Sequence, residues 1–232
     1  MKKYIIVAIS ALFLAACNTN NNNSENSDPP VQHQKEAQAT AMQHQTIAVE
    51  VGDLIFIDTD CGPLCNAINA VTPSYKDLPM SHVGFKVVHE GKPLIVHAST
   101  NGVVMEPLSN FLKMAKGEVV IGRVKDAYKQ LLDSAMSFAK QQVGLKYNHT
   151  FTPNNNAYYC SELIYEAFKA ANNGKPVFTL QPMTFINPQT NTTDTNWVQY
   201  FAQLNAPVPE GVLGCNPGEM SLSDKIDIVG TI

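Results

Sequence analysis

Cys160 is the residue with the most to offer chemically. It stands in Tyr158-Tyr159-Cys160-Ser161-Glu162-Leu163, where loop composition gives way to helical periodicity. Upstream, Thr152-Pro153-Asn154-Asn155-Asn156 reads as loop. Downstream, Leu163, Ile164, Ala167, Phe168 and Ala171 form one apolar stripe at helical period, which stops at Asn172-Asn173-Gly174. A thiol in the first turn of a helix meets free backbone N–H groups and the positive end of the helix dipole. Both favour thiolate over thiol. The chemistry such a position suits is nucleophilic attack on a carbonyl.

That chemistry needs a base within reach of the thiol and a third group to orient the base. The chain has six histidines. His33 and His44 fall in a polar segment, His89 beside a turn and His149 in the loop before Cys160. His82 and His97 differ from these. The run 81–88 is β-rich, Glu90-Gly91 is a hairpin turn, and 94–98 is the returning strand. Antiparallel pairing then brings His82 and His97 to the same end of the ribbon. One imidazole can act as base while the other holds it through a second ring nitrogen. A zinc site made of His82, His97 and Cys160 is the competing use. No ligand-spacing motif accompanies these residues, so no metal and no cofactor is expected.

The elements that must position these side chains can be read in order. Leu54-Ile55-Phe56-Ile57 reads as a buried strand, with a short helix near 66–71. After the hairpin, Asn101-Gly102 turns the chain into Val103-Val104-Met105. Glu106-Pro107 reads as the start of a short helix that ends at Gly117, and 118–124 as a strand. Asp126 reads as the cap of a longer helix closed by Gly144. Beyond the Cys160 helix the chain is rich in Pro and reads as loop until a last strand near 226–229. A run of strands followed by helices, with little βαβ alternation, points to an α+β fold.

The N-terminus is of another kind. Lys2-Lys3, the apolar run 4–14 and Leu14-Ala15-Ala16-Cys17 have the order of a signal peptide followed by a bacterial lipobox. The expectation is a lipoprotein signal peptide over 1–16, lipidation of Cys17, and a tether over 17–48. An Asn run and Pro29-Pro30 open that tether, and it has no apolar periodicity. The folded domain is then 49–232. A net charge of -4 offers no basic field for nucleic acid. The implied location is the bacterial cell envelope, with the Cys17 lipid as the contact to membrane. Of five cysteines, four remain after Cys17: Cys61, Cys65, Cys160 and Cys215. Cys61 and Cys65 can pair locally across Gly62-Pro63, and the pairing is otherwise open.

Three pieces in order, Gly52-Asp53-Leu54-Ile55, Ser81-His82-Val83-Gly84 and Tyr159-Cys160-Ser161-Glu162-Leu163, resemble the YiiX-type permuted papain-like amidases, relatives of the NlpC-type cell-wall peptidases. The resemblance spans about residues 52–168. It implies a circularly permuted papain-like fold, a small antiparallel barrel or sheet packed on the cysteine helix, with histidine before cysteine in the chain. It also implies a triad of Cys160, His82 and a polar third residue, which falls on His97. YiiX-like members often carry Glu there, so His97 departs from that pattern, whereas other NlpC-type relatives use His. The implied activity is that of a thiol amidase or peptidase acting on peptidoglycan stem peptides or related peptide amides. The Cys160 N–H, with a hydroxyl such as that of Tyr158 or Tyr159, would hold the oxyanion. Tyr158, Tyr159 and Glu162 are the expected substrate contacts; packing for Tyr159 and first-turn charge for Glu162 are their structural alternatives. Two other functions use the same residues differently: a lipid acyltransferase or thioesterase, and a non-catalytic envelope-binding protein with Cys160 tied in a disulfide.

Overall fold

The structure is a computed structural model that describes residues 47–153 and 156–232. The expected signal peptide, Cys17 and all but the end of the tether lie outside the described residues, as do Asn154 and Asn155 of the loop before Cys160. Among the described residues, no helix is long and apolar enough to cross a membrane.

The elements run β1 (Leu54–Ile57), α1 (Pro63–Val71), β2 (His82–His89), β3 (Lys92–Ser99), β4 (Gly102–Glu106), α2 (Leu108–Leu112), β5 (Val120–Val124), α3 (Leu132–Gln141), α4 (Cys160–Ala171), α5 (Thr195–Gln203), α6 (Pro217–Ser221) and β6 (Ile226–Thr231). The six strands form one antiparallel sheet in the order β6-β5-β1-β2-β3-β4. This is the α+β architecture expected.

Alternation along the strands separates two cores. One face carries Leu54, Phe56, Val83, Phe85, Val87, Val96 and Ala98 against Leu163, Ile164, Ala167 and Phe168 of α4. The ring of Phe85 lies 5.6 Å from that of Phe168. The other face carries Ile55, Ile57, Ile95 and Ile121 around Phe111 of α2. Phe56, Phe85, Phe111 and Phe168 are all fully buried. Each such side chain contributes about 1.5–3 kcal/mol, so both faces are firmly held. Buried Asp53 fixes the start of β1, its carboxylate accepting from Arg123 Nε at 2.8 Å and Nη2 at 2.9 Å.

Several expectations are corrected. The strand β4 runs through Glu106, which pairs with Ile95, so the following helix begins only at Leu108. Asp126 opens a 3-10 turn, Asp126–Leu131, and the α-helix proper is Leu132–Gln141. The helix near 66–71 begins earlier, with Pro63 in its first turn. The Pro-rich tail contains two helices. Asp194 caps α5, accepting from Asn196 N at 2.8 Å, and Trp197 and Phe201 bury four residues apart. Asn216 caps α6, accepting from Glu219 N at 2.7 Å. Cys61 and Cys65 form a disulfide that ties the segment before α1 to its first turn. Cys160 and Cys215 are free thiols, which removes the reading with Cys160 in a disulfide.

Candidate active site

Cys160 is the first residue of α4, 5% exposed. Glu162 closes the helix start behind it: its carboxylate accepts from Tyr159 N at 3.2 Å and from Asn148 Nδ2 at 3.0 Å. That is the reach-back half of a capping box. Burial pushes the Glu162 carboxyl up to about 7. The two effects on the Cys160 thiol compete. The N–H groups of Val83, Ser161 and Cys160 favour thiolate, but burial dominates and pushes the thiol up to about 11. A helix terminus contributes at most about 2 kcal/mol, roughly one and a half pKa units. Full burial shifts a group by up to about 3–5 units. The resting sulfur is therefore a protonated thiol, contrary to the expectation drawn from its helix position alone.

The strands in front of it fork. The β1–β2 ladder runs on to Ile57–His82, whereas the β2–β3 ladder stops at Phe85–Val96. Beyond that point His97, Ala98 and Ser99 pair only with β4. The Val83 N–H, left without a β3 partner, is directed at the Cys160 sulfur.

Side chains bridge the fork. His82 Nε2 and His97 Nδ1 are 2.9 Å apart, and His97 Nε2 is 3.0 Å from Glu106 Oε1. His97 is 1% exposed and His82 9%. Phe111 packs against both rings, at 5.6 Å from His82 and 5.0 Å from His97. Gly84 makes room for it: a Cβ there would lie 2.5 Å from Ile95 Cγ2 and 2.7 Å from Phe111. Burial, then the neighbouring His97, lowers His82 to about 3. Burial also lowers His97, against the raising effect of Glu106. Both imidazoles are neutral at rest. Among the described residues, no hydrogen bond joins Cys160 to the His82 ring.

A narrow cleft, partly open to solvent, runs over Cys160. Ile68 and Val71 of α1, Tyr147, Phe151, Met183, Phe185 and Trp197 make its walls mainly apolar. Glu219 is the one charged side chain among the described residues lining it. Of the three expected substrate contacts, Tyr159 lines the cleft, and its hydroxyl accepts from Cys215 N at 3.2 Å. Tyr158 and Glu162 do not line it. Tyr158 packs on Phe138 and its hydroxyl donates to Gln142 Oε1 at 3.5 Å.

A family model described as "permuted papain-like amidase enzyme, YaeF/YiiX, C92 family" matches residues 48–229. The chain belongs to this family of permuted papain-like amidases. It is thereby a member of a family of cysteine peptidases and amidases. Among solved structures it is similar to one titled "Crystal structure of metalloprotein yiiX from Escherichia coli O157:H7", with a TM-score of 0.63 at 22% identity. That match covers 79% of this chain and 97% of the other. No curated protein matches the chain.

That title calls the Escherichia coli protein a metalloprotein. Among the described residues, no three His, Cys, Asp or Glu side chains are grouped to hold a metal ion. Three of the four imidazole nitrogens of His82 and His97 are taken up by one another and by Glu106, which leaves His82 Nδ1 alone among them and no ligand set for a metal. Two residues around Cys160 and the imidazole pair escaped sequence reasoning. Tyr147, on the cleft wall, has a phenol pushed up by burial and then by nearby Cys160. Glu106 completes the imidazole chain. Its alternation with Val104 on β4 was the available signal, had β4 been extended through Glu106.

Proposed function

We propose that this chain is a thiol amidase or peptidase in which Cys160 attacks an amide carbonyl, His82 takes its proton, and His97 orients His82. The observation that carries the reading is the forked hairpin, with a helix-start cysteine at its mouth and two directly bonded imidazoles across it. Because thiol and imidazole are both neutral at rest, His82 removes the proton as the sulfur attacks. The proton then passes to the leaving amine, and water releases the acyl group from sulfur. The Cys160 N–H at the helix start and the Tyr147 hydroxyl are the donors proposed for the oxyanion. Tyr159 shapes the cleft wall. Glu162 sets the helix start.

The substrate proposed is a peptide amide of the bacterial envelope, with peptidoglycan stem peptides first in line and Cys17 lipidation keeping the enzyme at the membrane. The apolar cleft favours a second reading, in which the acyl part is a lipid chain and the enzyme is an acyltransferase or thioesterase. The two separate in one experiment. Residues 45–232, which form one compact unit, are incubated with muropeptides or with long-chain acyl esters, and the products are weighed by mass spectrometry. Peptide products that vanish with Cys160→Ala and with His82→Ala support the first reading. Acyl release alone supports the second. Turnover retained in either variant would remove the assigned nucleophile or base.

A further inference from the structure

The proton arrangement between β2 and β4 is fixed from one end. Glu106 sits at the end of β4, 27% exposed, and His97 is fully enclosed on β3. His97 pairs directly with Val104, so Glu106 is its diagonal neighbour on the same face of the sheet. A Glu side chain reaches across that diagonal, here to 3.0 Å from His97 Nε2.

A carboxylate can only accept, so His97 Nε2 carries a proton and donates it to Glu106. A neutral ring with its proton on Nε2 has its lone pair on Nδ1, which faces His82 Nε2 at 2.9 Å. His82 Nε2 must then carry a proton and donate it to His97. The lone pair of neutral His82 is left on Nδ1, its other ring nitrogen. Once His82 takes a proton there, neither existing hydrogen bond has to reverse. Without an acceptor at Glu106, His97 can hold its proton on Nδ1 and donate to His82 Nε2. His82 would then carry its proton on Nδ1 and have no lone pair left for the thiol.

We infer that Glu106 is a positioning residue, acting through His97 to set the tautomer of His82 and so make His82 Nδ1 the base. The inference rests on the proposed role of His82, and it goes beyond the Cys160, His82 and His97 set by adding a residue that touches neither substrate nor sulfur.

The test is ¹⁵N NMR of the histidine rings in residues 45–232, with iodoacetamide alkylation of Cys160 followed in parallel. In the native protein at neutral pH, both rings should show a protonated Nε2 and an unprotonated Nδ1. In Glu106→Gln, the amide can donate as well as accept, so the other tautomer should appear at both rings together, with Cys160 alkylation slowed about tenfold or more. Glu106→Asp keeps an acceptor and should retain more of the native pattern than Gln. Native ¹⁵N patterns and native alkylation in Glu106→Gln would overturn the inference. Loss of the fold in Gln leaves Asp and the native spectrum to decide, since an Nδ1–H on His97 in the native protein is fatal by itself. A native pattern together with no hydrolysis of any amide or ester would instead sink the proposed function while leaving the tautomer assignment standing.

Discussion

At Cys160, two physical effects of opposite sign meet, and the larger comes from tertiary structure. The first-turn position was legible from periodicity, because Leu163, Ile164, Ala167 and Phe168 mark the helix face. The protonation state was not legible. It depends on the cleft walls and on Val83, 77 residues earlier in the chain. Burial raises the thiol to about 11 and lowers His82 to about 3. The form that the proposed mechanism uses, a Cys160 thiol and a neutral His82, therefore dominates between those values. Turnover should stay level from about pH 5 to about pH 9, since His82 gains its proton only well below that range. A pH–rate profile of kcat/KM checks this. An acid limb centred near the ordinary histidine value of about 6.5 would mean that His82 is solvated in the working enzyme. Glu162, raised to about 7, titrates inside this window, so the profile is best repeated with Glu162→Gln.

The elements act through where their pairing stops. The hairpin count placed His82 and His97 at one end, but it carried no sign that the β2–β3 ladder ends at Phe85–Val96. That fork is what admits the sulfur to the Val83 N–H. Glu106 was hidden for a related reason: Pro107 looked like a helix start, whereas the pairing of Glu106 with Ile95 extends the strand. Gly84 holds the arrangement on the other face by letting Phe111 lie against both imidazoles. Gly84→Ala should cost about 1–3 kcal/mol by overpacking, measured by denaturant unfolding. It should also lower kcat more than it raises KM, because the rings are displaced and the cleft is not. An unchanged kcat with the stability loss would mean that Phe111 supports the fold and not the pair.

Across the whole molecule, the cleft is assembled from segments far apart in sequence. Ile68 and Val71 come from α1, Phe185 and Trp197 from the tail, and Cys215 from the loop before α6. Composition concealed the tail's share, since a Pro-rich stretch reads as loop until the Asp194 cap and the Trp197–Phe201 pair are seen packing on Ala67. Cys215 and Asn216 stand in the cleft wall, with Ser161 Oγ donating to Cys215 O at 3.0 Å. The Cys61–Cys65 disulfide is anchored in the first turn of α1, the wall that faces the tail. It closes a short loop, so its loss should cost no more than about 3 kcal/mol. The effect should concentrate on α1 and α5. Hydrogen exchange of Cys61→Ser/Cys65→Ser should show faster exchange there, with the β1–β2 amides unchanged. Uniform loss of protection would contradict a local role.

The central claim is that His82 activates Cys160, and the second free thiol supplies an internal control. Cys215 is as buried as Cys160, with its thiol pushed up by burial to about 12, but it has no imidazole assigned to it. The decisive measurement is site-resolved iodoacetamide alkylation by peptide mapping at neutral pH, in the native protein and in His82→Ala. Cys160 should react at least about tenfold faster than Cys215, and His82→Ala should remove that advantage. Equal rates at the two cysteines, or an undiminished Cys160 rate without His82, would contradict the account.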